Sequence, residues 1–201
     1  MPLDQVGSEL ELPAGCLTVL SGPSGVGKGS VVVAVRRRHR HAWVSTSVTT
    51  RSPRPGEIDG VEYHFVTRPA YQQMVDRGEL LEHAEYAGNG YGTPWPPLRE
   101  RLAAGRPALL EIELQGARQV RAVLPGAQLV FLAPPSFDEL VRRLVGRGTE
   151  DAETVARRLT VARSEMAARK EFDVVVVNDD VGRAADELVS WMESPIRPAH
   201  G

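Results

Sequence analysis

Apolar residues fall in this chain in two patterns. Short continuous runs at Leu17–Ser21, Ala108–Glu113, Leu129–Leu132 and Val174–Val177 (the last within Asp173–Asn178) read as strands covered on both faces, because a half-exposed strand would alternate apolar and polar positions. Longer stretches between them carry helical spacing. Leu98–Ala104 is ended by Gly105, and about Ala117–Leu124 is stopped by Pro125-Gly126. Ser136-Phe137-Asp138-Glu139 has the form of a capping box and opens a helix to Val145. A long helix is predicted from about Glu150 to Lys170, and an amphipathic one over Val181–Met192. Strands alternating with helices predict an α/β fold, a parallel sheet with helices on both faces.

Residues 47–93 break that rhythm. Val44–Arg51 reads as a strand leading into Ser52-Pro53-Arg54-Pro55-Gly56-Glu57, where two prolines and a glycine force an irregular turn. Val61–Val66 alternates as a strand does, and Pro69–Arg77 is a short helix stopped by Gly78. Leu80–Ala87 and Gly90–Thr93 are strands around Gly88-Asn89. The region is a small β-rich insert. One further segment contradicts its own propensity: Val31–Val35 favours a strand, but its context predicts a helix from Gly29 to about His41.

That context is Gly22-Pro23-Ser24-Gly25-Val26-Gly27-Lys28-Gly29-Ser30, placed between the first strand and the helix. Glycines at this spacing let successive backbone N–H groups turn inward, and a helix N-terminus adds positive potential, so the stretch is a cradle for a polyphosphate. Lys28 adds a full charge beside the terminal phosphates. The position after it holds Gly29, where Ser or Thr usually helps hold Mg²⁺; Ser30 follows one place later. The expectation is therefore that Mg²⁺ is held by phosphates and water, with no direct protein ligand.

The chain has 201 residues, 42% hydrophobic and 25% charged, enough for one domain with a real core. A net charge of −2 gives no overall attraction to nucleic acid or an anionic membrane. Cys16 is the one cysteine, so no internal disulfide forms and a reducing, cytoplasmic setting is expected. Residues 1–13 lack the apolar core of a signal peptide, and no apolar run is long enough to span a bilayer. Arginine is clustered. Ser47, Arg51, Arg54 and Tyr63 could bind a phosphate monoester, since guanidinium forks match phosphate oxygens; a solvated basic loop is the bland alternative. Arg143, Arg147, Arg157 and Arg158 flank a Gly-broken helix junction, either closing over a transferring phosphoryl group or pairing with Glu150, Asp151 and Glu153 at the surface. Arg36-Arg37-Arg38-His39-Arg40-His41 reads as cations at a helix C-terminus.

Taken together, the motifs resemble guanylate kinases of bacterial type over about Leu17 to Met192. They include the glycine-rich loop, Thr49-Thr50-Arg51-x-Pro53-Arg54-x-Gly56-Glu57, Leu81-Glu82 and Gly88-Asn89-x-Tyr91-Gly92-Thr93. Gln115-Gly116-Ala117, Ala133-Pro134-Pro135-Ser136, Gly146-Arg147-Gly148-Thr149-Glu150 and Val177-Asn178-Asp179-Asp180 continue the match in order. The resemblance implies a P-loop NTPase-type sheet in a domain over 14–194, with a core of about 14–46, 94–139 and 166–194. It further implies a GMP-binding insert at about 47–93, a helical lid at about 140–165, and flexible termini at 1–13 and 195–201. The implied reaction is ATP + GMP giving ADP + GDP, with Mg²⁺ accompanying ATP. By position, residues 22–30 and Asn178 bind ATP, while Ser47, Arg51, Arg54, Tyr63, Tyr91 and Glu113 attend GMP. Glu82 and Thr93 read the guanine, and Lys28, Arg143, Arg147 and Arg158 stabilise the phosphoryl group in flight. No nucleic-acid or membrane partner is implied, and the oligomeric state is left open.

Departures from the family pattern are Gly29, the Glu111-Ile112-Glu113 sequence where Asp-x-Asp is usual, and the stiff Trp95-Pro96-Pro97 after the insert. Two other readings stay open: a related kinase acting on a phosphorylated sugar, and a non-catalytic binding module. Glu82 and Thr93 argue against the first, and Lys28, Arg147 and Arg158 against the second.

Overall fold

The structure, a computed structural model, describes residues 16–86, 88–145 and 152–194, with the side chains of residues 152–155 and 157 outside that description. In chain order, β1 (Leu17–Ser21) leads to α1 (Lys28–Arg38). Next come β2 (Val48–Thr49), β3 (His64–Phe65), α2 (Arg68–Asp76), β4 (Leu80–Tyr86) and β5 (Asn89–Pro94). After them follow α3 (Trp95–Ala103), β6 (Ala108–Glu111), α4 (Leu114–Val123), β7 (Gln128–Ala133), α5 (Phe137–Val145), α6 (Ala152–Ala167), β8 (Val174–Val177) and α7 (Val181–Glu193). The four apolar runs pair in the order β6-β1-β7-β8, every pair parallel. Both faces of this sheet are covered. Leu20, Val130, Leu132 and Val176 pack against α1, α5 and α7, whereas Leu17, Val19, Leu110 and Leu129 pack against α3 and α4. Covering on both faces is why these strands read as continuous apolar runs.

The valines after Lys28 are helical, as the loop requires. Val31, Val32 and Val35 face inward and Val33 stays exposed. α1 stops at Arg38, three residues before His41, because Ala42 N–H bonds the His39 carbonyl and turns the chain toward the sheet. The charges at its end are paired: Arg38 donates twice to Asp186 of α7 at 2.9 and 2.6 Å, and His39 meets the same carboxylate at 2.7 Å.

A second sheet, ordered β3-β2-β5-β4, forms the insert. The expected strand Val44–Arg51 is divided between the sheets. Val44 bridges Leu109 beside β6, and Ser45 N–H bonds the Leu109 carbonyl, while Val48–Thr49 pairs with β3 and β5. The expected strand Val61–Val66 is cut to His64–Phe65, because local bonds claim what precedes it: Val61 N–H and Glu62 N–H bond the Ile58 carbonyl, and Gly60 N–H bonds the Tyr63 carbonyl. β4 and β5 make an antiparallel hairpin with a register shift between Leu80 and His83. α3 begins at Trp95, earlier than expected, with proline in its first turn, where a missing N–H costs nothing. α4 likewise begins at Leu114, three residues before the expected Ala117. The Ser136 hydroxyl accepts from Glu139 N–H at 3.1 Å, one half of a capping box. The other half is diverted, since the Glu139 carboxylate pairs with Arg142 and Arg143.

The glycine-rich loop leaves β1 directly under β7. At Gly22 a β-carbon would overlap the Leu132 carbonyl oxygen of β7, a backbone atom that cannot swing aside. Gly22→Ala should therefore cost about 1–3 kcal/mol as overpacking and lower the melting midpoint by about 4 °C or more. Thermal unfolding followed by circular dichroism checks this.

Candidate active site

The loop after β1 is built on left-handed glycines. Gly25 has φ +80° and Gly27 φ +98°, and Gly27 caps α1. Lys28, the first helical residue, is only 8% exposed. Its ammonium donates to the Gly22 carbonyl at 2.8 Å and to Glu113 Oε2 at 3.2 Å. The loop is braced from one side by Asn178, buried, whose Nδ2 donates to the Val26 carbonyl at 2.8 Å. Arg143 adds two bonds, to the Val26 and Asn178 carbonyls, both at 3.2 Å. Thus two residues expected to contact ATP or the moving phosphoryl are engaged with the loop itself. Gly29 and Ser30 are exposed at the start of α1.

The expected phosphate-monoester cluster assembles in part. Arg51 lies 5.4 Å over the Tyr63 ring, and the Tyr63 and Tyr91 rings meet edge to face at 6.0 Å. Burial, with help from the Glu111 carboxylate, pushes the Tyr63 hydroxyl up to about 12. Arg51 is not bare, however. It grips Glu57 with two bonds of 2.9 Å, which lower the Glu57 carboxyl below the usual range. Glu57 also accepts from Arg54 N–H, while the Arg54 side chain is exposed and Ser47 is half-buried just before β2.

Glu82 and Thr93 do come together. Thr93 Oγ1 donates to Glu82 Oε1 at 2.8 Å; the threonine is fully buried and the glutamate 4% exposed. Burial raises the Glu82 carboxyl to about 7, against the hydrogen bonds from Thr93, which lower it. A carboxyl kept this dry and facing one hydroxyl is poised to accept donors from a ligand.

Of the lid candidates, Arg147 lies outside the described residues, as does the Arg157 side chain. Arg158 donates to the Leu144 carbonyl at 3.4 Å, tying α6 to the end of α5. On the same face of α6, Glu165 accepts from Ser24 N–H of the loop at 3.0 Å. Nothing in the sequence reading singled out Glu165. The signal was its spacing: Arg158, Ala162 and Glu165 fall at i, i+4 and i+7, and Ala162 is fully buried. Burial raises the Glu165 carboxyl, opposed by Ser24 and Lys28.

For Mg²⁺, the available donors are hard carboxylate oxygens beside the lysine. A β-carbon at Gly29 would stand 3.7 Å from Glu111 Oε1, so that carboxylate borders the loop. No three His, Cys, Asp or Glu side chains among the described residues form a chelating group. This donor set suits an ion that keeps its water and meets protein through one or two carboxylates. Among the described residues no helix is long and apolar enough to cross a membrane.

A family model described as guanylate kinase matches residues 15–195. A guanylate kinase from Frankia casuarinae is 67% identical over 176 residues, covering 88% of this chain and 96% of that protein. One from Thermobifida fusca is 62% identical over 179 residues, covering 89% and 91%. Among solved structures, a guanylate kinase from Anaplasma phagocytophilum matches with a TM-score of 0.73 at 32% identity, over 89% of this chain and 84% of that one.

Glu82 makes the fold sensitive to pH. Folded, it keeps its proton up to about pH 7; unfolded, it releases it near pH 4.5, so stability falls as pH rises across that window. Glu82→Gln removes the penalty. Its melting midpoint should gain on wild type by about 2 °C or more between pH 5 and pH 8, and paired thermal melts at the two pH values test it.

Proposed function

The chain belongs to the guanylate kinase family and transfers a phosphoryl group from ATP to GMP, giving ADP and GDP; we propose how its residues share that work. The division into core, insert at about 47–93 and lid at about 140–165 is part of this proposal, as is a cytoplasmic location. The reading of the acceptor rests on one observation. A buried carboxylate, Glu82, is presented by the insert with a single hydroxyl partner. A polyphosphate cradle names no acceptor by itself, and a sugar-phosphate kinase has no use for such a group.

Guanine offers N1–H and an exocyclic amine on one edge, both donors, and an ionised carboxylate accepts both. Thr93, bonded to Glu82, fixes its rotamer and lies at the same purine edge. Arg51, Arg54, Tyr63, Tyr91 and Ser47 hold the GMP phosphate, with Glu57 keeping the Arg51 guanidinium extended toward Tyr91. Residues 22–30 wrap the ATP phosphates with backbone N–H groups. Asn178 and Arg143 stiffen that loop from behind, and Asn178 borders the adenine. Glu113 sets the position of Lys28, whose ammonium lies between the two phosphate sites.

Transfer needs no covalent intermediate. The γ-phosphoryl passes in line to a GMP phosphate oxygen, and the protein supplies alignment and positive charge. Lys28 meets charge that develops on the bridging and terminal oxygens, while Arg147 and Arg158 arrive with the lid and exclude water. Glu111 and Glu113 are the carboxylates that would meet Mg²⁺ through water when it is bound with ATP, and the ion would supply neutralisation of phosphate charge.

Lys28→Ala should lower kcat by about 10²-fold or more, with the fold intact by circular dichroism; steady-state kinetics at saturating ATP and GMP decide it. Base selection gives a separate outcome. Adenine places a bare acceptor against Glu82 and leaves the carboxylate without donors, so GMP should exceed AMP in kcat/KM by about 10³-fold or more. Glu82→Gln should erode that ratio on the GMP side and leave the KM for ATP unchanged. An unchanged ratio in the variant would remove Glu82 from the guanine site.

A further inference from the structure

Helix α4 packs against β4 of the insert, and two residues on one helical face make close approaches there. Gly116 is buried, and a β-carbon there would stand 2.5 Å from Glu82 Oε2 and 3.0 Å from its carboxyl carbon, with Ile112 Cδ1 at 3.3 Å. Real β-carbons keep at least about 3.0 Å from such atoms, so the carboxylate would have to retreat by at least about 0.5 Å (3.0 less 2.5). Three residues on, Gln119 holds both polar groups of the next backbone unit. Its Nε2 donates to the His83 carbonyl at 2.8 Å, and its Oε1 accepts from His83 N–H at 3.2 Å.

We propose that Gly116 and Gln119 are positioning residues for base selection: α4 clamps β4 at His83 and admits the Glu82 carboxylate into the space that only glycine leaves. The inference rests on Glu82 being the guanine reader. The carboxylate has nowhere else to go. Its first oxygen is tied to buried Thr93, the side chain is enclosed, and the following residue is pinned on both sides. Gly116 sits in ordinary helical backbone, with no left-handed torsion to explain a glycine. In a helix glycine is intrinsically less favourable than alanine, so helix propensity alone predicts that alanine is neutral or stabilising. The close approach to Glu82 is what the glycine supplies in return.

The test uses the full chain with Gly116→Ala, Gln119→Ala, Glu82→Gln and, as a control, Gly126→Ala, whose β-carbon would meet nothing within 4 Å. A sub-ångström misplacement of a recognition group should cost about tenfold or more. Gly116→Ala is expected to raise the KM for GMP and lower the GMP-to-AMP ratio of kcat/KM by that factor. The KM for ATP should hold within about twofold, while the melting midpoint should fall, as overpacking of an enclosed site requires. Gln119→Ala should raise the KM for GMP in the same direction by a smaller factor, and Gly126→Ala should change neither. If Gly116→Ala keeps the wild-type ratio while Glu82→Gln loses it, the positioning role is overturned. If both keep it, the assignment of Glu82 is what fails. Should Gly116→Ala not fold, Gln119→Ala decides: an unchanged KM for GMP overturns the proposal.

Discussion

A buried ammonium has to be paired, and the pairing of Lys28 fixes the centre of this molecule. Its two partners follow different strands: Gly22 comes directly after β1 and Glu113 two residues after β6. The side chain therefore ties neighbouring carboxyl ends of the parallel sheet together at the point where the glycine loop turns into α1. The loop cannot tighten or open without disturbing that pair. It is further confined by the Leu132 backbone under Gly22, by Leu144 against Gly25 and by Asn178 against Gly27. The three close approaches explain the glycine spacing as packing as well as torsion.

Acidity around this cation is tuned by burial. Glu111, Glu113 and Glu165 all approach the loop, a concentration of negative charge that would oppose a polyphosphate if fully ionised. Burial raises the carboxyls of Glu111 and Glu165, and in each case Lys28 pulls the other way and Glu113 reinforces the rise. Such groups give up charge more readily than free carboxylates when a polyanion arrives. The glutamate at residue 113, where a shorter acid is usual, reaches the lysine at 3.2 Å.

The fold was legible wherever burial and pattern coincide. All four core strands and the helices between them follow from apolar runs, and the strand-like valines of α1 were overridden by the loop before them. Legibility failed where one stretch serves two sheets. Val44–Arg51 has uniform strand propensity, yet its pairing changes partner between Val44 and Val48, a tertiary event with no local signature. Val61–Val66 alternates correctly, but local backbone turn bonds to the Ile58 and Tyr63 carbonyls displace the ladder over residues 61–63. Within the site, residue types were readable while their engagements were not. Arg51 and Arg143 looked like free cations and are held by Glu57 and by the Val26 and Asn178 carbonyls. Glu165 was visible only as a helical period around Ala162, a pattern that also describes an ordinary core face.

The element that joins the halves of the site is α4. Its cap residue, Glu113, holds Lys28; its third helical residue, Gly116, lies under Glu82; its sixth, Gln119, grips β4. One helix of ten residues thus carries contacts to the loop lysine and to β4. A helix rises 1.5 Å per residue, so the three contacts fall within roughly 9 Å along its axis, and a shift of that axis moves both together. Under the roles proposed for Glu82 and Lys28, binding energy at the purine edge is expressed as the placement of Lys28, which is the coupling that a phosphoryl transfer without covalent catalysis requires. Arg36 of α1, donating to the Val61 carbonyl at 2.6 Å, gives the insert a further contact with the core, one that reaches backbone alone.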